Sequence, residues 1–202
     1  MVKQALIFGW LLCGAAAFGG SQNFDFKDPK GVNNVVFKTD APLESINGTA
    51  TEVSGAVQFD PADPGAVKGK LMVAAASLHV PNPLMKEHLQ GPMWLDVAKY
   101  PSITFEVVSA AKVVTKENST TAEVTGNLTI KDVTKKVTVP VKFTYLEGKL
   151  KDRVPSLKGD LLVLRGKFAV KRSDFGINAG KGEDKVADEI ELTLSLAGQS
   201  PR

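Results

Sequence analysis

The 202-residue chain has one cysteine, two histidines and two tryptophans. A lone cysteine excludes an internal disulfide, and Cys13 sits directly behind an amino-terminal apolar run. If that run is removed as a leader, the remaining chain has no thiol, and with it no cysteine nucleophile and no cysteine metal ligand. The histidines, His79 and His88, stand neither at i, i+4 spacing nor beside a cysteine, so no three-ligand set is legible and neither a metal nor a cofactor is expected. A single-sign charge block is also missing. The 25 Lys and Arg and 22 Asp and Glu interleave to a net charge of +3. A nucleic-acid partner would require basic residues gathered on one face. The densest cluster, Lys131, Lys135 and Lys136, reads as a solvated turn, and Gly180-Lys181-Gly182 lacks the Ser/Thr and helix that complete a phosphate loop. No second carboxylate pairs with Asp174, which is expected to form a loop-fixing ion pair with Arg172. No catalytic residue is therefore assigned. Neither an internal repeat nor a linker divides the chain, which is long enough to bury about 70% of its unfolded surface as one domain.

The one long apolar run, residues 5–12, follows Lys3 and precedes two small-x-small patterns, Ala15-Ala16-Ala17 and Ala17-Phe18-Gly19. This reads as a secretory signal over residues 1–19, cut after Ala17 or Gly19, leaving a mature chain of residues 20–202. The run is short for a membrane span and no stop-transfer segment follows. A periplasmic or secreted location, with no stable membrane span after cleavage, is the expectation. Lipid attachment at Cys13 is disfavoured, because Trp10 and Leu12 occupy places that call for Leu and a small residue. The sequons at Asn47, Asn118 and Asn127 matter only in a host that glycosylates.

What the chain has in abundance is alternation. Ala122, Val124, Gly126, Leu128 and Ile130 share one face, and Val137, Val139, Val141, Phe143 and Tyr145 repeat the pattern after the break at residues 131–135. Period-two alternation gives strands with one apolar and one wet face, and a short polar link makes the pair an antiparallel hairpin. Further strands are read at residues 34–38, at 44–59 with bends at Gly48 and Gly55, at 67–75, at 102–109, at 161–171 and at 186–197. One short helix is expected over residues 83–90, with Asn82 as N-cap, Pro83 at the first position and Gly91-Pro92 closing it. About eight evenly spaced antiparallel strands imply an all-β sandwich or barrel. Closure into a barrel removes the edges and encloses room for side chains or one slim ligand. On alternation alone, Phe105, Phe143, Phe168 and Leu192 read most simply as core.

Residues 94–105, 128–137, 171–177 and the closing strand from Val186, four segments in order, resemble the YceI-like family. Leu128-Thr129-Ile130-Lys131-Asp132-Val133-Thr134-Lys135-Lys136-Val137 is similar to its LTI-x-G-VTK-x-V hairpin. Trp94-Leu95-Asp96-Val97-Ala98-Lys99-Tyr100-Pro101-Ser102-Ile103-Thr104-Phe105 is similar to its FFD-x-x-x-YP-x-I-x-F stretch, with Glu87-His88-Leu89 before it. Lys171-Arg172-Ser173-Asp174-Phe175-Gly176-Ile177 and the closing strand from Val186 complete the set. Asp132 stands where the family has Gly, Trp94-Leu95 replaces a Phe pair, and the opening strand is Asn33-Asn34-Val35-Val36-Phe37. The resemblance implies an eight-stranded, lipocalin-like antiparallel barrel that holds a long apolar chain such as a polyisoprenoid, without catalysis. It turns the inward stripes into candidate ligand-binding walls: Phe37, Leu71, Val73, Met85, Leu89, Trp94, Phe105, Leu128, Phe143, Phe168 and Leu192. The alternatives are a structural or partner-binding barrel filled by its own side chains, and a lipid-directed enzyme drawing on His88, Asp174 and Arg172. Oligomeric state is open, a homodimer included.

Overall fold

A computed structural model of the protein describes residues 20–202; residues 1–19, read from the sequence as a leader, with Trp10 and Cys13, lie outside the described residues. Eleven antiparallel strand segments form one sheet. They are β1 (Gln22–Asp25), β2 (Asn34–Asp40), β3 (Ser45–Ala50), β4 (Val53–Phe59), β5 (Lys68–Ala74), β6 (Leu78–His79), β7 (Ser102–Lys116), β8 (Ser119–Ile130), β9 (Val133–Leu146), β10 (Gly159–Lys171) and β11 (Glu189–Pro201).

The eleven segments amount to eight barrel strands, because the first three strands are each broken once. β1 pairs with β4 and β2 with β3, while β1 and β2 both pair with β11. They are therefore two halves of one strand, interrupted by residues 26–33. β3 and β4 are halves of the next, parted at Thr51 and Glu52, and β5 and β6 of the third, parted by the 3-10 turn Ala75–Ser77. β7 to β11 each pair with the strand before, and β11 returns to β1 and β2. Of the sandwich and the barrel that the alternation left open, the result is the closed antiparallel barrel that the family resemblance implied, an up-and-down meander without free sheet ends.

Several boundaries differ from the sequence reading. The link between β8 and β9 is only Lys131 and Asp132, with φ of 51° and 60°. Both residues adopt the positive φ that a two-residue hairpin link demands, so Val133, Thr134 and Lys135 belong to β9 rather than to a turn. β7 runs on to Lys116 through two bulges, beyond the expected end at Ser109. β1 lies ahead of the first strand read from the sequence, and β11 begins after Val186. The bend in residues 44–59 falls at Thr51 and Glu52, not at Gly48.

Helix α1 (Pro83–Gln90) has the expected bounds: Asn82 Oδ1 accepts from the Leu84 and Met85 amides at 3.0 and 3.1 Å, and Gly91 ends it. A further single turn, α2 (Leu150–Arg153), was not signalled by any periodicity; its Leu150 is fully buried.

α2 closes one end of the barrel, and that end is solid. Phe24, Phe26, Phe59, Phe143, Leu162 and Leu196 are all at most 3% exposed. Phe59 stacks on Phe143 at 5.3 Å between ring centroids, and Phe24 meets Tyr145 edge-on at 6.3 Å. Two buried carboxylates anchor the polar groups under this core. Buried Asp160 accepts from the Tyr145 hydroxyl at 2.9 Å and the Gly148 amide at 2.8 Å, and pairs with Arg202. Asp28 pairs with Arg153 of α2 at 2.7 Å and accepts three amides of its own loop, so it ties residues 26–33 to the lid.

Candidate ligand cavity

The other half of the barrel is hollow. A cavity of about 560 Å³ opens at the end opposite α2. The expected wall residues arrive from every side. β2 supplies Phe37, β5 Leu71 and Val73, β7 Phe105, β8 Leu128, β9 Phe143, β10 Phe168 and β11 Leu192. Met85 and Leu89 come from α1, and Trp94 from the segment after it. All eleven candidates thus border one space. They differ in depth: Phe143, at 3% exposure, is part of the packed floor, whereas Phe37, Phe168 and Leu192 are half-buried on the side wall. An interior filled throughout by side chains is therefore true of only one half of the barrel.

Two rings owe their placement to glycine. A Cβ on Gly48 would fall 2.1 Å from the Phe37 ring, and one on Gly126 would fall 2.4 Å from the Phe105 ring. Each ring lies against the neighbouring strand instead of projecting across the lumen, which only a residue without a side chain permits.

The rim is built by α1 on one side and by residues 172–188 on the other. Arg172, 2% exposed, organises that second side. Its Nε donates to Ala187 O, Nη1 to Ile177 O and Asn178 O, and Nη2 to Lys181 O and Val186 O. A guanidinium has five N–H donors, so every one is spent on backbone carbonyls. Its face lies 5.5 Å from the Trp94 ring centroid, a cation–π contact that ties the loop to the segment after α1. The expected Arg172–Asp174 ion pair does not form: Asp174 is exposed, and Arg172 is satisfied by carbonyls. The carboxylate that fixes this loop is Asp188, which accepts from Ser173 N at 2.9 Å and Ser173 Oγ at 2.8 Å. Partial burial works against its ionisation, but the two Ser173 donors and the Arg172 charge outweigh it and hold the carboxyl below its usual value.

His88 borders the rim from α1, and His79 lies exposed on β6 opposite Thr49. His88 and Arg172 both border the cavity, whereas Asp174 is exposed and borders a separate surface pocket. The wall residues that the sequence reading passed over, among them Ile46, Ile103, Val170 and Ile190, belong to the same inward stripes. Their signal was present but did not separate wall from core. Thr39 also borders the cavity, and its hydroxyl had no signal at all.

Fold and site together define a class: a closed eight-stranded antiparallel barrel with one packed half and one hollow, apolar half open at its end. The chain belongs to the YceI-like family, whose domain matches residues 28–197. It is 32% identical to a UPF0312 protein of Pseudomonas aeruginosa strain LESB58 over 153 residues, covering 76% of this chain and 73% of that protein. A UPF0312 protein of Pseudomonas savastanoi pv. phaseolicola is 33% identical over the same shares. Among solved structures, Burkholderia cenocepacia BcnA superposes with a TM-score of 0.67 at 26% identity, over 82% of this chain and 95% of BcnA. A polyisoprenoid binding domain from Saccharophagus degradans, implicated in plant cell wall breakdown, superposes with a TM-score of 0.65 at 11% identity, over 90% of this chain and 99% of that one. At that identity the likeness is one of fold.

Proposed function

We propose that this protein is an exported carrier that holds one long apolar chain, of the polyisoprenoid kind, in the hollow half of the barrel and does not transform it. The observation that carries this reading is the apolar cavity in the hollow half of the barrel. Such a site holds its ligand by area removed from water, at about 25 cal/mol per Å², and needs few polar contacts. At about 30 Å³ for each methylene-sized group, taken as close to the volume of a water molecule, 560 Å³ accommodates a chain of about twenty carbons. A barrel of the same fold is named for polyisoprenoid binding, which supports the ligand class. The residues read as a leader, 1–19, support export to the periplasm or beyond.

The test is to deliver the full chain in a secreting host, extract the purified protein with organic solvent and analyse it by native mass spectrometry. A co-purifying apolar chain is expected, and the mature protein should begin near Phe18 or Gly20. Phe105→Asp places a carboxylate on the cavity wall, where desolvation is costly, and should abolish retention in protein whose circular dichroism is unchanged. A folded Phe105→Asp protein that retains lipid at the wild-type level would overturn the reading, as would wild-type protein that neither carries nor takes up a twenty-carbon chain.

A further inference from the structure

We infer that the ligand is an amphiphile with an uncharged, hydrogen-bonding head, and that Thr39 is the residue that receives it; this rests on the carrier reading above. β2 presents Val35, Phe37 and Thr39 to the cavity in period-two order. Thr39 is 4% exposed, and its Oγ1 has no hydrogen-bond partner. Buried hydroxyls in native proteins are paired with few exceptions, and each exception calls for an explanation. The strand register explains why the protein does not supply a partner. Ile46 lies directly opposite Thr39 on β3, and Ile190 stands one residue beyond the Lys38–Glu191 pair on β11. Both flanking strands offer aliphatic side chains, which neither donate nor accept. Rotation about χ1 by about 120° to the next staggered position re-aims the hydroxyl without moving the backbone.

Thr39 is also in the right place for a head. It is the last inward residue of β2 before the turn into β3, on the rim side of Phe37, while the floor at Phe143 is wholly apolar. A chain that enters tail first leaves its head beside Thr39. The rim argues for an uncharged group. Its ionisable side chains are Glu44, Lys185, His88 and Arg172. Glu44 and Lys185 have opposite charge, Arg172 has no donor to spare, and Asn82 Oδ1 is occupied by the α1 cap. Glu44 would repel an anionic head and Arg172 offers it no donor, which leaves Lys185 as the one rim cation to meet a carboxylate or phosphate. An alcohol, which both donates and accepts, matches a threonine hydroxyl in either sense.

The experiment compares wild-type protein, Thr39→Val and Thr39→Ser, stripped of lipid, against three ligands on one twenty-carbon isoprenoid skeleton: the primary alcohol, the hydrocarbon and the carboxylic acid. Affinity is read by displacement of a fluorescent apolar probe. Valine keeps the shape and removes the hydroxyl. It should weaken the alcohol about 3- to 10-fold, the range of one net hydrogen bond, and leave the hydrocarbon unchanged. Thr39→Ser should restore the alcohol. Ligand-free Thr39→Val should melt no lower than wild type, because the hydroxyl it removes makes no bond in the protein. A Thr39→Val effect that is absent, or equal for alcohol and hydrocarbon, would overturn the head assignment and leave the carrier reading standing. So would a lower melting temperature, since it would reveal a structural partner. Tightest binding of the acid, lost in Lys185→Gln, would overturn the uncharged head. Failure of all three ligands to bind wild-type protein would overturn the carrier reading and this inference with it.

Discussion

The two halves of the barrel are built from the same strands and the same residue types, yet one is solid and the other hollow. Along β10, Leu162 and Leu164 are 0% and 5% exposed, while Phe168 and Val170, on the same face, are only half-buried. β11 shows the same gradient from Leu196 at 2% to half-buried Leu194, Leu192 and Ile190. The difference lies in what meets these stripes across the lumen. At the solid end Phe24, Phe26, Phe59 and Phe143 converge, and α2 with the Asp28–Arg153 and Asp160–Arg202 pairs seals them in. At the hollow end Phe37 and Phe105 lie against Gly48 and Gly126, as Phe26 does against Gly198 in the solid half, and α1 lines the rim of the opening. A cavity here is not a lack of hydrophobic residues but a matter of where their bulk is directed.

The largest effects should separate the halves. Leu162→Ala, in the solid half, should cost about 2–5 kcal/mol of unfolding free energy in urea. Leu192→Ala, whose side chain already borders open space, should cost about 1 kcal/mol or less while weakening retention of an apolar chain. Equal costs would erase the distinction between solid and hollow. Next in size is Arg172→Lys, which replaces five donors in a fork by three on a single ammonium. Buried carbonyls left without donors should cost about 3 kcal/mol and expose residues 176–188 to limited proteolysis ahead of the rest of the barrel. If that loop is cut no faster than in wild type, Arg172 does not hold it.

Acid should act first on the seal of the solid end. Burial opposes ionisation of Asp28 and of Asp160, but Arg153 and three amides in one case, and Gly148, Tyr145 and Arg202 in the other, outweigh it and hold both carboxyls below their ordinary 3.8. Because the folded values are depressed, the stabilisation is complete above the unfolded value and is lost as pH falls below 3.8 through the folded values. Melting temperature should therefore drop steeply below about pH 4, and Asp160→Asn should flatten that limb. An acid limb identical in Asp160→Asn would remove Asp160 from it. The smallest effect is spectroscopic. Trp94 is the only tryptophan among the described residues, and it borders the cavity beside Arg172. Its emission should move to the blue as a chain fills the hollow half. An unchanged spectrum with binding confirmed independently would place Trp94 outside the occupied space.

Strands, their inward faces, the hairpin and α1 with its cap were legible in the sequence, because each depends on residues within a few positions of one another: alternation for a strand, Asn82-Pro83 and Gly91 for a helix. The four family-like segments extended that to the closed barrel. β1 and α2 escaped, being four-residue elements too short to show a period. The partners of Arg172 escaped because backbone carbonyls carry no residue signature, so an Asp two positions away looked the better partner. Which inward residues are floor, wall or plug could not be read either. Leu162 and Leu192 are the same residue on the same kind of stripe, and only the level at which strands distant in sequence face each other makes one core and the other wall. The sequence by itself determined that the strands have an apolar face, and its family-like segments that they close into a barrel. Only the tertiary structure decided that half of the enclosed space is left open, because filling a lumen is a sum over strands drawn from the whole chain, and no local pattern contains that sum.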